Sequence, residues 1–144
     1  MKPRLFDASS IIILIKMRSR VFRHVTEDFR ILPLTIFEIG NVFRAEAYLT
    51  KTTSPEKAAV MLDGISGIVK KMRTQNLDVD DPVKVLNLAG KCGLTFYDAA
   101  YLNAAMVSGY TLVTEDRKLA REASKEGIEV LTAADIQESF SKDR

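Results

Sequence analysis

Four acidic residues stand at positions where carboxylates can do chemistry together: Asp7, Glu38, Asp98 and Asp116. Asp7 follows the apolar pair Leu5-Phe6. Glu38 lies one turn into the segment after Pro33-Leu34, Asp98 sits in Thr95-Phe96-Tyr97-Asp98-Ala99-Ala100, and Asp116 closes Leu112-Val113-Thr114-Glu115-Asp116. Each falls at or near an expected helix N-terminus, so each has a structural explanation. Thr35-x-x-Glu38 fits a capping box, Thr95-x-x-Asp98 resembles one, Thr114 can cap Glu115 and Asp116, and Asp7 can cap its own helix. Gathered at one place, however, carboxylates repel, and one or more must take up a proton unless a cation sits among them. The chain has one His, His24, and one Cys, Cys92, so no zinc-type cluster forms. An all-oxygen donor set points to Mg²⁺ or Mn²⁺.

Neutral groups accompany the acids. Ser9 and Thr114 offer hydroxyls, and Asn41 shares a helix face with Glu38 three residues earlier. Glu115 is a reserve candidate, because adjacent helical side chains diverge and both Glu115 and Asp116 could serve one ion only at an irregular turn. Asp80 and Asp81 precede Pro82 and read as a helix cap.

The elements that must position these groups alternate. Strands are expected at Arg4 to Phe6, Ile31 to Leu34, Leu77 to Val79, Thr111 to Val113 and Glu129 to Leu131. Between them Ile36, Ile39, Val42, Phe43 and Ala47 keep a helical three-and-four spacing, as do Ala99, Ala100, Leu102, Ala105 and Met106. The run Ile11 to Ile15 suits either a strand or a helix, and Ser9 or Ser10 as N-cap favours helix. Ser54-Pro55-Glu56 opens a long helix over Thr53 to Arg73, which can pair with Thr35 to Leu49 as a hairpin. The pattern is that of an α/β domain over 1–144 with a mainly parallel sheet, in which strand ends leading into helices share one edge.

Composition narrows the class. A hydrophobic share of 47% in 144 residues is enough for one sizeable core. Against 19 acidic residues, 21 Lys and Arg leave a formal +2, too little to grip nucleic acid by net charge alone. The apolar run is too short to span a bilayer, and the N-terminus lacks the features of a secretory signal, so a reducing, cytoplasmic location is expected.

Taken in order, Asp7-x-Ser9 after the first strand, Glu38-Ile39-x-Asn41-Val42-x-Arg44, Tyr97-Asp98-Ala99-Ala100-Tyr101 and Leu112-Val113-Thr114-x-Asp116 resemble the PIN-domain family, and within it the VapC toxins of prokaryotic toxin–antitoxin pairs. The resemblance covers nearly the whole chain. It implies a three-layer α/β/α sandwich with a five-stranded parallel sheet, one or two Mg²⁺ or Mn²⁺ ions in an acidic pocket, and endoribonuclease activity. Asp7, Glu38, Asp98 and Asp116 match the family's metal-site acids, Ser9 and Thr114 its hydroxyl positions, and Asn41 its accessory polar position. It also implies a small antitoxin partner and a homodimer, for which Ala58, Ala59, Met61, Leu62, Ile65 and Val69 offer apolar surface. Toward an RNA substrate, Arg18, Arg20, Arg44 and Arg117 are the candidate contacts, although solvated helix faces explain most basic clusters.

Phosphodiester hydrolysis by a metal-activated water suits this acid set without a protein nucleophile. Asp7, Glu38 and Asp98 would hold one ion, with Asp116 completing that site or serving a second. Ser9 has no partner base in the pattern, which removes a serine hydrolase. Two alternatives stand beside the nuclease: an Mg²⁺-dependent phosphotransfer or phosphatase-like domain, whose second acid is replaced here by Ser9, and a non-catalytic RNA- or protein-binding module.

Overall fold

The computed structural model describes residues 2–25, 27–75 and 81–142. Five parallel strands form one sheet in the order β3-β2-β1-β4-β5: β1 (Arg4–Phe6), β2 (Phe29–Ile31), β3 (Arg73–Thr74), β4 (Thr111–Val113) and β5 (Val130–Leu131). The central strand β1 pairs on both sides, Leu5 lying opposite Arg30 of β2 and Leu112 of β4. Leu5, Phe6, Leu112 and Val113 are fully buried, as expected where helices cover both faces of a parallel sheet.

Alternation along the strands divides the core in two. Phe6, Phe29, Ile31 and Val113 face a layer containing α1 (Ala8–Lys16), α2 (Thr35–Arg44), α3 (Pro55–Val69) and α7 (Ala133–Lys142). Leu5 and Leu112 face α4 (Pro82–Cys92), α5 (Phe96–Ser108) and α6 (Arg117–Lys125). The expected three-layer α/β/α sandwich is the observed one. Each fully buried Leu, Ile or Phe stabilises it by about 1.5–3 kcal/mol relative to exposure. Phe6 and Phe29 add an aromatic contact at 5.1 Å between ring centroids.

Local differences from expectation have local causes. The Ile11 to Ile15 run is helical, but the cap is Asp7, whose carboxylate accepts from the Ser10 N–H at 2.9 Å; neither Ser9 nor Ser10 is the N-cap. The second strand lies at Phe29–Ile31, earlier than Ile31 to Leu34, because Leu32 N–H turns out of the ladder to Thr35 Oγ1 at 3.1 Å and Pro33 has no N–H to offer. The third strand is Arg73–Thr74, while the expected Leu77 to Val79 lies outside the described residues, as does Asp80. Asp81 caps α4 as expected, accepting from Lys84 N–H at 2.9 Å. The long helix starts at Pro55 with Ser54 as its cap, but stops at Val69 instead of Arg73. There the Lys71 and Met72 amides switch to three-residue bonds with Ile68 and Val69, which tighten the chain into β3.

That helix does pack against α2 as a hairpin. Its apolar residues are therefore largely used within the domain: Ala58, Ile65 and Val69 are buried, and Met61 and Leu62 pack on the same core. Among the described residues, no helix is long and apolar enough to cross a membrane.

Candidate active site

Chain order makes the site. From β1 the chain moves to β2 on one side, whereas β4 lies on β1's other side. The C-terminal ends of β1 and β4 therefore flank the point where the sheet's winding reverses, the usual crevice for ligands in open α/β sheets. Asp7 follows β1, Asp116 follows β4, and the Asp7 N–H donates to the Val113 carbonyl at 3.1 Å across this junction.

A cleft of about 520 Å³ opens there, lined by Asp7, Glu38, Asp98 and Asp116 together with Ser9 and Asn41. Four separate elements supply the acids. Asp7 is the N-cap of α1 and Asp116 the N-cap of α6, accepting from Leu119 N–H at 2.9 Å. Glu38 lies in the first turn of α2 and Asp98 in the first turn of α5. The helix hairpin α4–α5 turns at Gly93, whose φ of +63° suits glycine, and delivers Thr95 as the α5 cap; Thr95 Oγ1 accepts from Asp98 N–H at 3.1 Å. At Asp7, Asp98 and Asp116 capping and membership of the cleft thus coincide, because both place an acid at the start of a helix.

Asp7 is the fixed point. It is 5% exposed. One carboxylate oxygen accepts from Ser10 N–H and from Ser9 Oγ at 2.8 Å, and the other accepts from Thr114 Oγ1. Ser9 in turn accepts from Glu115 N–H at 3.0 Å, and Thr114 from Asp116 N–H at 3.0 Å. Ser9 and Thr114 therefore knit the β1 and β4 termini together through Asp7. Thr114 is buried behind the cleft and is not among its lining residues, while Asn41 is an exposed part of the wall.

Glu38 is oriented differently from a capping-box acid. Tyr101 Oη donates to Glu38 Oε1 at 2.7 Å, and Thr35 Oγ1 lies 2.7 Å from the same phenol. Since the phenol proton is given to Glu38, Thr35 must be the donor to Tyr101. Leu32 N–H completes the chain by donating to Thr35. Leu34, not Thr35, occupies the N-cap position of α2. Tyr101, 1% exposed on α5, thereby links the two acid-bearing helices α2 and α5.

Burial raises the pKa of Asp7 above the ordinary carboxylate value despite its hydrogen bonds from Thr114, Ser10 and Ser9. Burial also raises Glu38, opposed by the Tyr101 hydrogen bond and reinforced by the charges of Asp7 and Asp98. Asp98 is raised by burial and then by Asp116. Tyr101 is driven above the usual phenol value by burial and by Glu38, so it remains a donor. The acids form a chain of mutually repelling pairs, a pattern that a cation would relieve. Among the described residues, no group of three or more His, Cys, Asp or Glu is close enough to hold an ion as the side chains stand. The donor chemistry nevertheless fits a hard cation: only oxygens face the cleft from the acids, and Glu38 and Asp98 are half-buried side chains on helix first turns, not groups locked on both sides as Asp7 is.

The other expected residues lie elsewhere. Glu115 accepts from the Ala133 N–H at 2.5 Å and so satisfies the start of α7, away from the cleft lining. Arg18 and Arg20 line a second cleft with Gln137 and Phe140, and Arg44 lines a groove with Phe43 and Tyr48. Arg117 is exposed in the first turn of α6, next to Asp116, without lining the acidic cleft. Sequence spacing read Thr35 only as a helix cap and gave Tyr101 no site role, and it likewise assigned none to two exposed aromatic residues, Phe37 and Tyr97, that line the cleft. Tyr101 lies one turn from Asp98 and Thr35 one turn from Glu38, a periodicity that could have marked both.

No protein-family model matches this chain. A curated protein of Pyrobaculum aerophilum named exonuclease VapC9 is 38% identical over 130 residues, covering 89% of this chain and 90% of its own. The crystal structure of PAE2754 from Pyrobaculum aerophilum is similar with a TM-score of 0.79 and 28% identity, over 98% of this chain and 96% of that one. The DNA-bound VapBC of Salmonella typhimurium shares the fold at a TM-score of 0.65 and 19% identity, over 92% of this chain and 99% of that one.

Proposed function

The chain belongs to the VapC family of PIN-domain proteins, and from that membership we propose that it is a metal-dependent ribonuclease, the toxin of a VapBC-type toxin–antitoxin pair. The observation that carries the proposal is the convergence of Asp7, Glu38, Asp98 and Asp116, from four elements, on one cleft at the sheet's switch point. Asp7, Glu38 and Asp98 would hold Mg²⁺ or Mn²⁺, with Asp116 completing the site or serving a second ion. Such a cation supplies Lewis acidity toward the phosphodiester and acidifies a water.

The chain's own contribution is positioning. Ser9, Ser10 and Thr114 hold Asp7 in one orientation, and Tyr101 holds Glu38 against the repulsion of its neighbours. Asp98 and Asp116 approach from α5 and α6. An aspartyl-phosphate mechanism fits poorly, because the second acid that class needs two residues after Asp7 is replaced by Ser9, whose hydroxyl donates to Asp7 instead. A small antitoxin would silence the site by presenting Arg or Lys to the carboxylates. The family resemblance is what supports a cytoplasmic homodimer; most of the α3 apolar surface expected to form it packs within the domain.

Cleavage of labelled RNA with Mn²⁺ or Mg²⁺, and its absence in EDTA, tests the central claim; metal-independent cleavage, or none at any divalent ion, defeats it. The relative's name says exonuclease, whereas family resemblance implies internal cleavage. A circular RNA, which has no ends, separates the two: the endonuclease proposal requires that it be opened.

A further inference from the structure

Phe37 is 77% exposed and Tyr97 59% exposed, although both are large aromatic side chains in a chain with ample core. Each immediately precedes an acid of the cleft, Phe37 before Glu38 on α2 and Tyr97 before Asp98 on α5. Both line the cleft. Consecutive helical side chains point about 100° apart, so the rings stand beside the carboxylates without taking their place. The same arrangement on two independent helices sets an aromatic group on the α2 wall and another on the α5 wall.

The cleft's charge says what they can do. Among the described residues that line it, none is Lys or Arg. A polyanion entering this site gains no ion pairs from its walls, and the acids repel its phosphates except through a bound cation. Affinity close to the reacting phosphate must then come from uncharged contact, and the surfaces available are the aromatic faces, in a cleft that Leu34 and Val42 also line. A nucleobase offers the matching flat apolar face, and only an unpaired, unstacked base can present it.

We propose that Phe37 and Tyr97 form a base-stacking subsite that receives an unpaired nucleotide next to the scissile phosphate. The proposal rests on the nuclease reading for its substrate, but its test does not depend on cleavage. A single-stranded oligoribonucleotide carrying 2-aminopurine is titrated with the full chain in EDTA and again in Mg²⁺, and both fluorescence quenching and Kd are recorded.

Stacking quenches the probe. Phe37→Ala and Tyr97→Ala should each weaken binding about 5- to 150-fold and reduce the quenching, since one base–aromatic stack contributes on that scale. Tyr97→Phe should keep both signals, and a fully paired duplex should bind without quenching. Unchanged Kd and quenching in both alanine variants, with their circular dichroism intact, would overturn the proposal. So would equal binding of duplex. If the pair instead receives a protein segment, RNA binding stays unchanged while partner binding falls, which also overturns it. Quenching that requires Phe37 and Tyr97 in a protein that cuts no RNA would leave the subsite standing and sink the nuclease reading; cleavage without such quenching does the reverse.

Discussion

Tyr101 on α5 donates its phenol proton to Glu38 on α2 at 2.7 Å, across 63 positions of sequence, and receives one from Thr35 at the same distance. The bond joins two of the helices that carry cleft acids and fixes the one acid that has no cap to hold it.

Removing that phenol isolates the effect of orientation. Tyr101→Phe keeps the ring in the core but leaves the buried Thr35 hydroxyl without its acceptor, so stability should fall by about 1–3 kcal/mol. Cleavage should drop about 10- to 100-fold, the scale typical of a lost ligand-orienting partner, with a higher Mn²⁺ concentration needed for half-maximal rate. A variant with unaltered metal dependence would show that Glu38 does not need the bond.

At Asp7 cap and site can be separated. Asn is as good an N-cap as Asp, so Asp7→Asn should fold, whereas Asp7→Ala also loses the Ser10 N–H contact and should be less stable than Asp7→Asn by about 1 kcal/mol. Both should lose more than the roughly 10- to 100-fold in cleavage that an outer partner costs. Melting curves and RNA cleavage measured on the pair check this; an active Asp7→Asn protein would remove Asp7 from the metal site.

The raised pKa values of Asp7, Glu38 and Asp98 make a statement about pH. A carboxyl whose folded-state pKa lies above its unfolded value binds protons more tightly when folded. Its stabilising contribution is complete below the unfolded value, near pH 4, and is lost as pH rises through the folded one. In EDTA the stability advantage of Asp7→Asn over wild type should therefore grow from about pH 4 toward neutrality. Mg²⁺ or Mn²⁺ at neutral pH should raise the wild-type Tm and shrink that gap. A gap independent of pH would mean that Asp7 carries no strained charge.

Glu115 serves as a neighbouring control. Its carboxylate satisfies the Ala133 amide at the start of α7, so Glu115→Ala should cost about 0.5–2 kcal/mol, as lost helix caps do. RNA cleavage should stay within a few-fold of wild type, while Asp116→Asn, one position on, should abolish it. Kinetics on the two variants, with Tm for each, decide whether the acids divide in this way.

The sequence alone determined what depends on neighbours within a few residues. The α/β alternation, the caps at Asp81 and Ser54, and the start of a helix beside each of the four acids come from periodicity and capping chemistry, while the Ile11 to Ile15 run stayed open between strand and helix until Asp7 was seen to cap it. Family membership was legible because the motifs keep their order and spacing. Tertiary structure decided what depends on the angle and distance between elements. Only the packing of α5 against the α2 end of the sheet brings Tyr101 to Glu38 and turns Thr35 from a supposed cap into a hydrogen-bond donor to Tyr101. Packing, too, turned most of the apolar face of α3 inward, sent Arg18 and Arg20 to a different cleft from the acids, and aimed Glu115 at α7 instead of into the cleft beside Asp116. A helical period says which residues share a face; it carries no information about what that face will meet, and the crossover order β3-β2-β1-β4-β5 is what sets four distant helix starts around one crevice.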